Sequence, residues 1–353
     1  PWVIVGGADK LIIEHAKVLE SSNFSSILLT TLKPGERIGQ INIPNVDLNC
    51  DLSKWSKIGN DNQLHIIVKA LINSKIKIIH VIQSDLAMQV IKYYSPVLRE
   101  YGIKIIVSLY TPAYDDQAKE YIGYPVMYPE LMRNADLILS DNEYWYDWLR
   151  KLAGRDFLYK KLNSPIKKYN IFKTEPTVNK KILWASRISD QKLIHVLYDI
   201  CNTMKEYTFV IYGGMPEEET ARIYFEKIMK LPNIDYRNVF NNVSEIDISE
   251  VDLYLFTSKF EGIATLVLDI AAMGLPIVMA DVGGLSEVTG DMYPLLVKEY
   301  NSSEAYIDKI NEYYSNPQKY YDIMQQVKES VLTTNDEESF KKSYLGIIQE
   351  LIK

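Results

Sequence analysis

The stretch Phe260-Glu261-Gly262-Ile263-Ala264-Thr265-Leu266-Val267-Leu268-Asp269 places two carboxylates on either side of a predicted turn from a strand to a helix. The apolar run before it, residues 252–257, predicts a buried strand, and residues 265–273 predict a helix with Thr265 as its N-cap. Such a turn presents free backbone N–H groups and the positive end of a helix dipole. It is therefore suited to bind a phosphate or sugar oxygen, although both carboxylates also fit a purely structural role at a helix start.

Alternating strand and helix patterns extend from this turn along the whole chain. Short β-branched runs separated by amphipathic segments predict an α/β fold with mainly parallel sheets covered on both faces. The pattern weakens at residues 163–179, where we place an interdomain linker. The predicted strands are residues 2–5, 27–30, 76–82, 103–109, 137–139, 182–185, 209–212, 234–236, 253–256, 277–279 and 295–297. The predicted helices are residues 10–21, 85–101, 143–153, 189–204, 217–230, 304–314, 318–331 and 338–352.

Length and charge limit the possible functions. The chain has 353 residues, which exceeds the usual size of a single domain and predicts two domains. Without an apolar run of roughly 20 residues or a signal-peptide pattern, we expect a cytoplasmic protein. The net charge of −7 disfavours nucleic acid as the main partner. The slightly basic N-terminal half fits an anionic acceptor, peripheral contact with the inner face of a membrane, or simply a solvated surface.

The cysteines and histidines do not form a recognisable metal site in the sequence. Cys50 and Cys201 lie far apart, and the four histidines show no ligand spacing, so we expect neither a disulfide framework nor structural zinc. The chain also lacks an Asp-x-Asp triplet. We therefore expect no metal and no resident cofactor, and the histidines fit ordinary packing or surface roles. They are His15, His65, His80 and His195.

The opening stretch resembles the Glu-x7-Glu signature of retaining GT-B glycosyltransferases, most closely glycosyltransferase family 4 (glycosyl transferases group 1). The resemblance continues through residues 274–278 and 283–287. It implies two Rossmann-like domains facing a central cleft, followed by C-terminal helices. On this basis we expect residues 1–168 to form the acceptor-side domain and residues 169–335 the nucleotide-sugar-binding domain. We expect residues 336–353 to form a helix that packs back on the first domain.

The resemblance also assigns roles within the opening stretch. It implies that Glu261 contacts hydroxyl groups of the donor sugar and that Asp269 holds the ribose. Asp269 departs from the pattern, because Asp is one methylene shorter than Glu, so ribose contact requires a closer backbone approach or a bridging water. The backbone that would meet the sugar and phosphate is that of Gly262, Ile263, Ala264, Thr265 and Leu266.

A pair of cations forms the second element of the predicted site. Arg187 and Lys192 follow the predicted strand at residues 182–185, where both can converge on one diphosphate. They match the Arg-x4-Lys element of the same family, in which the two cations stabilise the leaving nucleotide. As isolated residues, they fit equally well as solvated surface charges.

Two glycine turns are candidates for contact with the donor. Gly6 and Gly7 follow the first predicted strand and resemble the family's N-terminal Gly-Gly loop. Gly213 ends another strand and resembles the glycine turn beside the nucleotide, which implies that residues 237–240 lie near the base. A tight structural turn is the alternative for both sites.

Acceptor-side candidates follow the predicted strand at residues 103–109. Tyr110 stands where many members of the family carry a His that approaches the donor sugar, and a Tyr hydroxyl can also donate or accept a hydrogen bond. Tyr114 and Asp115 follow in a predicted loop that can meet the acceptor. The alternative for this loop is a solvated surface.

These features predict a bacterial hexosyltransferase that transfers a sugar from a nucleotide-diphosphate donor to a glycan or glycolipid, with retention and without a metal. The catalytic residues are predicted to be Arg187, Lys192 and Glu261, and the first expectation for the donor is a UDP-sugar used in polysaccharide biosynthesis. Two alternatives remain open. One is a GT-B-like sugar-nucleotide epimerase, which needs no acceptor, and the other is a non-catalytic module that binds a partner.

Overall fold

A computed structural model describes residues 7–22, 24–26, 28–30, 49–51, 60–240 and 242–353. The chain divides into two compact units. The first consists of Pro1–Pro165 together with Glu337–Lys353, and the second consists of Ile166–Asp336. The sequence analysis places the corresponding boundaries after residues 168 and 335.

The first unit contains a four-stranded parallel sheet with the order β3-β4-β7-β8. β1 and β2 form a separate parallel pair, and β5 and β6 form an antiparallel hairpin. Its elements before the linker are α1 (Gly7–Glu20), β1 (Leu28–Thr30), β2 (Asn49–Asp51), α2 (Asn60–Asn73), β3 (Ile78–Ile82), α3 (Asp85–Glu100), β4 (Lys104–Ser108), β5 (Ala113–Asp115), β6 (Glu120–Ile122), α4 (Tyr124–Met127), α5 (Leu131–Asn134), β7 (Leu137–Ser140), α6 (Tyr146–Ala153) and β8 (Tyr159–Lys161).

The second unit contains a six-stranded parallel sheet with the order β11-β10-β9-β12-β13-β14. Of the helices that the structure describes, none combines the length and the apolar composition needed to cross a membrane. The remaining elements of the chain are β9 (Lys181–Ala185), α7 (Ile194–Thr203), β10 (Thr208–Tyr212), α8 (Glu219–Ile228), β11 (Ile234–Tyr236), β12 (Leu253–Phe256), α9 (Thr265–Met273), β13 (Ile277–Ala280), α10 (Ser286–Thr289), β14 (Leu296–Val297), α11 (Ser303–Ser315), α12 (Pro317–Thr334) and α13 (Glu337–Ile352).

Helix α13 belongs to the first unit although it ends the chain. Successive side chains of a strand point to opposite faces of a sheet. Accordingly, Ile105 and Val107 of β4 join one hydrophobic core, whereas Ile106 joins a second core on the other face. Phe340 and Tyr344 of α13 are buried in that second core. Helix α13 therefore covers one face of the sheet of the first unit, although the whole second unit separates it from that sheet in the sequence.

Several local sequence predictions need correction. Thr265 is the first residue of α9, and its N-cap is Ala264, so the predicted cap is wrong by one residue. Residues 113–122 form a hairpin, whereas the sequence analysis predicted a loop there. The structure also adds elements that were not predicted, among them helix α2 (Asn60–Asn73) and strands β2 (Asn49–Asp51) and β8 (Tyr159–Lys161). The strand predicted at residues 2–5 and the candidate Gly6 lie outside the described residues, and Gly7 begins α1.

Candidate active site

The candidate site lies at the topological switch point of the sheet in the second unit, where the order of the strands reverses. From β9 the chain adds β10 and β11 on one side of the sheet and then β12, β13 and β14 on the other. In open α/β sheets, ligands bind beyond the carboxyl ends of the strands at such a switch point. The loop after β9, residues 186–192, carries Arg187 and Lys192. The loop after β12, residues 257–264, carries Glu261.

Lys192 and Glu261 form an ion pair at this point. The Lys192 ammonium contacts Oε1 of Glu261, and each side chain is 10% exposed. The Ser258 hydroxyl donates to the same oxygen at 2.6 Å. The ammonium also lies 4.6 Å from the centroid of the Phe256 ring, within the range of a cation–π contact. The structure therefore brings together two of the three predicted catalytic residues, and it adds Ser258, which the sequence analysis missed.

A chain of buried hydrogen bonds fixes the backbone of Lys192. The Thr257 hydroxyl donates to the Lys192 carbonyl at 2.6 Å. The indole N–H of Trp184 donates to that hydroxyl at 3.1 Å, and both side chains are fully buried. Leu193, directly after Lys192, has a φ of 53°, which ends the short turn and starts α7. Because buried hydrogen bonds hold the Lys192 backbone and the ion pair holds its side chain, Lys192 is fixed in place before any ligand binds.

Gly283 determines how the turn carrying Glu261 is packed. Gly283 has a φ of +58°, and a Cβ atom at this position would lie 1.8 Å from the Glu261 carbonyl oxygen. Only glycine permits this close approach of two backbones. The sequence analysis included Gly283 only as part of the extended resemblance, and the structure gives it a specific task in positioning Glu261.

Arg187 is exposed, in contrast to Lys192. Its guanidinium donates to Oε1 of Gln191 at 3.2 Å. The Gln191 amide in turn donates to the Phe260 carbonyl at 3.0 Å. Gln191 therefore links the cationic loop to the residue directly before Glu261. The sequence analysis missed Gln191, and its position beside Lys192 in the Arg-x4-Lys element is the only sequence signal for it.

The residues predicted to meet the donor through their backbone, 262–266, form the turn into α9. Its N-cap, Ala264, has no side chain that can cap the helix, and no side-chain cap bond is present there. The first-turn N–H groups of a helix lack intrahelical partners. A diphosphate or a sugar oxygen beside this turn would accept hydrogen bonds from these N–H groups. The positive end of the helix dipole would also stabilise its negative charge.

Asp269 lies one turn further along α9 and is buried. The Tyr169 hydroxyl, near the start of the second unit, donates to Oδ1 of Asp269 at 2.5 Å. The buried Tyr254 lies near both predicted carboxylates. Burial, followed by the charges of Glu261 and Asp269, raises the pKa of Tyr254 well above its ordinary value. Its hydroxyl donates to the Ala185 carbonyl at 2.7 Å and so joins β12 to the end of β9.

Gly213 packs against the loop that carries Arg187. A Cβ atom at Gly213 would lie 2.5 Å from the Ser186 carbonyl oxygen and 2.7 Å from Cγ1 of Ile188. The N–H of Gly213 donates to the Asn238 carbonyl at 2.9 Å. Gly213 therefore has a clear packing role, and residue 238 of the segment predicted to border the base lies beside it.

Arg237 is committed to other contacts. Its guanidinium binds Oδ2 of Asp235 at 2.7 Å and also pairs with Glu250. These hydrogen bonds raise the pKa of Arg237 above its ordinary value. The pair with Glu250 holds the end of β11 against the loop before β12. These ion pairs are enough to explain the position of the Arg237 side chain, without a contact between this side chain and a base.

Tyr110 lies two residues beyond β4 in the first unit. Its hydroxyl is enclosed near Ser108 and Asp141, and burial raises the pKa of this phenol above its ordinary value. The Tyr110 carbonyl accepts a hydrogen bond from the Asn142 side chain at 3.0 Å. These contacts fix the end of the strand, and a contact between Tyr110 and a donor sugar stays a prediction.

Tyr114 and Asp115 form part of the hairpin. The Tyr114 ring meets the Tyr121 ring edge to face, with 5.3 Å between the centroids. Oδ1 of Asp115 accepts the N–H groups of Gln117 and Ala118 at 2.8 and 3.0 Å, so this carboxylate stabilises the turn of the hairpin. Both residues therefore have structural tasks, and their predicted contact with an acceptor is untested.

In the part of the chain that the structure describes, no group of three or more His, Cys, Asp or Glu side chains is placed to hold a metal ion. Catalysis without a metal nevertheless stays a prediction.

Comparison with known proteins relates the second unit to a glycosyltransferase family. Residues 179–316 match the family model described as Glycosyl transferases group 1, and they lie entirely within the second unit. The chain is 23% identical over 231 residues to the putative colanic acid biosynthesis glycosyltransferase WcaL of Escherichia coli K12, a match covering 60% of this chain and 56% of the relative. It is 27% identical over 137 residues to the O-antigen biosynthesis glycosyltransferase WbnH of Escherichia coli, covering 38% of this chain and 39% of the relative.

Comparison with solved structures addresses the fold. The structure of Anabaena HepE in complex with UDP and glucose aligns over 99% of this chain and 97% of that chain, with a TM-score of 0.75 and 14% identity. The predicted GT-B fold class is therefore confirmed. At this identity the likeness establishes the fold alone. The matched region spans only about half the length, or less, of the two curated relatives.

Proposed function

We propose that the chain is a glycosyltransferase that transfers a sugar from a nucleoside-diphosphate donor to a glycan or glycolipid acceptor. The observation that carries this proposal is the buried Lys192–Glu261 pair beside Arg187 at the switch point of the sheet. These residues lie inside the segment that is similar to group 1 glycosyl transferases. A cation, a sugar-binding carboxylate and a helix start at one place suit a phosphorylated sugar.

The proposed reaction breaks the bond between the anomeric carbon and the diphosphate oxygen. The acceptor oxygen bonds to the same face of the anomeric carbon, its proton passes to the leaving phosphate, and the configuration is retained. Lys192 and Arg187 stabilise the negative charge that grows on the diphosphate, and Glu261 positions the sugar hydroxyls. Because Lys192 is buried and fixed, it stabilises this charge with little reorganisation during the reaction.

A UDP-sugar is the proposed donor. Anabaena HepE, whose fold this chain shares, binds UDP and glucose in its solved structure. The two curated relatives are named for biosynthesis of colanic acid and O-antigen, which supports a bacterial polysaccharide or its lipid-linked precursor as the acceptor class. We assign Tyr110, Tyr114 and Asp115 to the acceptor side, together with peripheral contact of the first unit with the inner face of the membrane.

Transfer is proposed to need no divalent metal, because Arg187 and Lys192 supply the positive charge that a metal ion provides in other sugar transferases. Activity should therefore survive excess EDTA. Loss of activity in EDTA that Mg²⁺ or Mn²⁺ restores, without a change in folding, would overturn this part of the proposal.

The test is a panel of UDP, GDP, ADP and TDP in calorimetric titration, followed by product analysis with the corresponding sugar donors. We expect selective binding of UDP and formation of a glycosylated product only when an acceptor extract is present. A donor converted to its epimer without an acceptor would identify the epimerase alternative. Failure to bind any of the four nucleotides would favour the non-catalytic alternative and contradict the proposed function.

A further inference from the structure

The residues that open the second unit, from Ile166 to Lys173, run along helix α9 of the same unit. The N–H of Lys173 donates to the carbonyl of Met273 at 2.8 Å, and the hydroxyl of Tyr169 donates to Asp269 at 2.5 Å. The two contacts are four residues apart in both segments, which is about one turn of α9. Residues 169–173 therefore follow the helix from the candidate ribose carboxylate to its C-terminus.

This segment is anchored on both sides of Tyr169. Before it, the N–H of Ile166 donates to the Asn335 carbonyl at 2.8 Å. After it, the buried Lys173 ammonium donates to the Val251 carbonyl at 2.8 Å, and other nearby oxygens surround it. A short segment fixed at both ends leaves the Tyr169 side chain little freedom.

The environment of the Tyr169 hydroxyl makes it a donor to a buried carboxylate. Tyr169 and Asp269 are each 8% exposed, and the Tyr169 ring belongs to the main core of the unit. Burial and the neighbouring Asp269 charge raise the pKa of Tyr169 above its ordinary value, so the phenol keeps its proton. A hydrogen bond from a neutral donor to an ionised acceptor is short and comparatively strong. It fixes the orientation of the Asp269 carboxylate.

We propose that Tyr169 is a positioning residue that holds Asp269 for recognition of the ribose of the nucleotide. This inference rests on the proposed function. Asp269 is one methylene shorter than the Glu expected at this position, so its reach is limited and its orientation decides whether it meets the ribose hydroxyls. A binding group keeps its geometry when a neighbouring shell of contacts supports it, and Tyr169 supplies that contact.

The test compares UDP with 2′,3′-dideoxy-UDP, which lacks the ribose hydroxyls, in calorimetric titration of wild type and Tyr169→Phe. Phe keeps the ring in the core and removes only the hydroxyl. We expect Tyr169→Phe to raise the Kd for UDP about 5- to 30-fold, less than the loss of the Asp269 charge itself would cost, because Asp269 stays ionised and loses only its orienting hydrogen bond. The Kd for 2′,3′-dideoxy-UDP should change less than about twofold, because that probe does not use Asp269.

A matched control is available in the same unit. The buried Tyr320 also donates its hydroxyl to a carboxylate, Glu312, at 2.7 Å, but it lies on α12 outside the candidate site. Tyr320→Phe should leave both Kd values unchanged. In an Asp269→Asn background, Tyr169→Phe should add little to the loss, because residues that act as a unit are not additive.

The outcomes separate this inference from the proposed function. Failure of the wild type to bind any nucleotide overturns both. UDP binding that is weakened by Asp269→Asn but unchanged in folded Tyr169→Phe overturns only the inference, as does an equal loss for UDP and 2′,3′-dideoxy-UDP. If Tyr169→Phe does not fold, Tyr169→Met, which also fills the core without a hydroxyl, is subjected to the same comparison. If UDP is not the preferred nucleotide, the preferred one and its dideoxy analogue replace it.

Discussion

The ammonium of Lys192 and the carboxylate of Glu261 contact each other in a pair whose two side chains are each 10% exposed. The sequence analysis assigned these residues to opposite ends of the donor, Lys192 to the diphosphate and Glu261 to the sugar. Because the two groups are in contact, the proposed diphosphate-binding group and the proposed sugar-binding group lie side by side. A donor sugar whose hydroxyls meet Glu261 would thus have its diphosphate close to Lys192.

The ion pair should show strong coupling in stability. Lys192→Met should lower the free energy of unfolding by about 3 kcal/mol, because it leaves a buried carboxylate without its counter-charge. Adding Glu261→Gln should restore most of that loss. Urea unfolding of the two single variants and the double variant measures this coupling. Lys17→Met, in the exposed pair with Glu14, is the control and should cost less than about 1 kcal/mol. Additive losses at Lys192 and Glu261 would contradict the coupling.

Arg187 should affect activity without affecting stability. It is exposed, so Arg187→Ala should change the free energy of unfolding by no more than about 0.5 kcal/mol. Transfer should fall about 10- to 1000-fold, because one group that stabilises the leaving diphosphate is lost. Steady-state transfer rates measure this effect. Arg222→Ala, which changes an exposed cation on α8, is the control, and a wild-type rate in folded Arg187→Ala would remove Arg187 from the catalytic group.

Gly283 should not tolerate a side chain. Gly283→Ala would place a Cβ atom 1.8 Å from the Glu261 carbonyl oxygen, so the turn that carries Glu261 must move. We expect a loss of stability of about 3 kcal/mol or more and a loss of transfer. Gly346→Ala in α13 is the matched control, because a Cβ atom there meets no atom within 4 Å. It should stabilise the chain by about 0.5–1 kcal/mol. A lower melting temperature for Gly283→Ala but not for Gly346→Ala is the expected result.

The first unit should lose stability in mild acid through His15. His15 lies on α1, and its ring is 4.4 Å from that of Tyr344 on α13 and 4.9 Å from that of His80 on β3. Burial lowers the pKa of His15 from 6.5 to about 4. The unfolded chain therefore binds a proton between these values and the folded chain does not. The stability is complete above pH 6.5 and falls as the pH decreases towards 4.

At pH 5.0 this histidine should cost about 2 kcal/mol relative to pH 7.5, as the pKa difference requires. The change in the thermal unfolding midpoint between the two pH values measures it. The His15→Asn variant cannot take up the proton, so its midpoint should fall less than that of the wild type over the same interval. Equal falls in wild type and His15→Asn would show that His15 is not the responsible group.

The elements predicted most accurately are those that the local pattern of residues determines. The strand at Leu253–Phe256 was predicted to the residue, because all four side chains are buried and the run is uniformly apolar. Its connection to Glu261 and the helix that follows were also predicted. The limits of α9 were predicted as observed, but its N-cap was misplaced by one residue because Ala264 occupies that position, which local capping preferences do not favour.

Contacts between distant segments were beyond the reach of the sequence patterns. Tyr169 meets Asp269 across 100 residues, and Gln191 meets Phe260 across 69. Neither contact leaves a periodic or motif-like signal in its own segment. The hairpin at residues 113–122 was missed for a related reason, since its three-residue strands are too short for an alternating pattern to be recognised.

Glu261 is proposed to act on the donor sugar, whereas Asp269 is proposed to act on the nucleotide. The most direct measurement is calorimetric titration of UDP into Glu261→Gln and Asp269→Asn, with the transfer rate recorded on the same preparations. We predict that Glu261→Gln keeps the wild-type Kd within about threefold and loses transfer, because UDP carries no sugar for Glu261 to contact and Lys192 keeps its charge. Asp269→Asn should raise the Kd by about 10- to 100-fold, corresponding to one charged hydrogen bond. Wild-type transfer by folded Glu261→Gln, or an unchanged Kd in Asp269→Asn, would contradict the account.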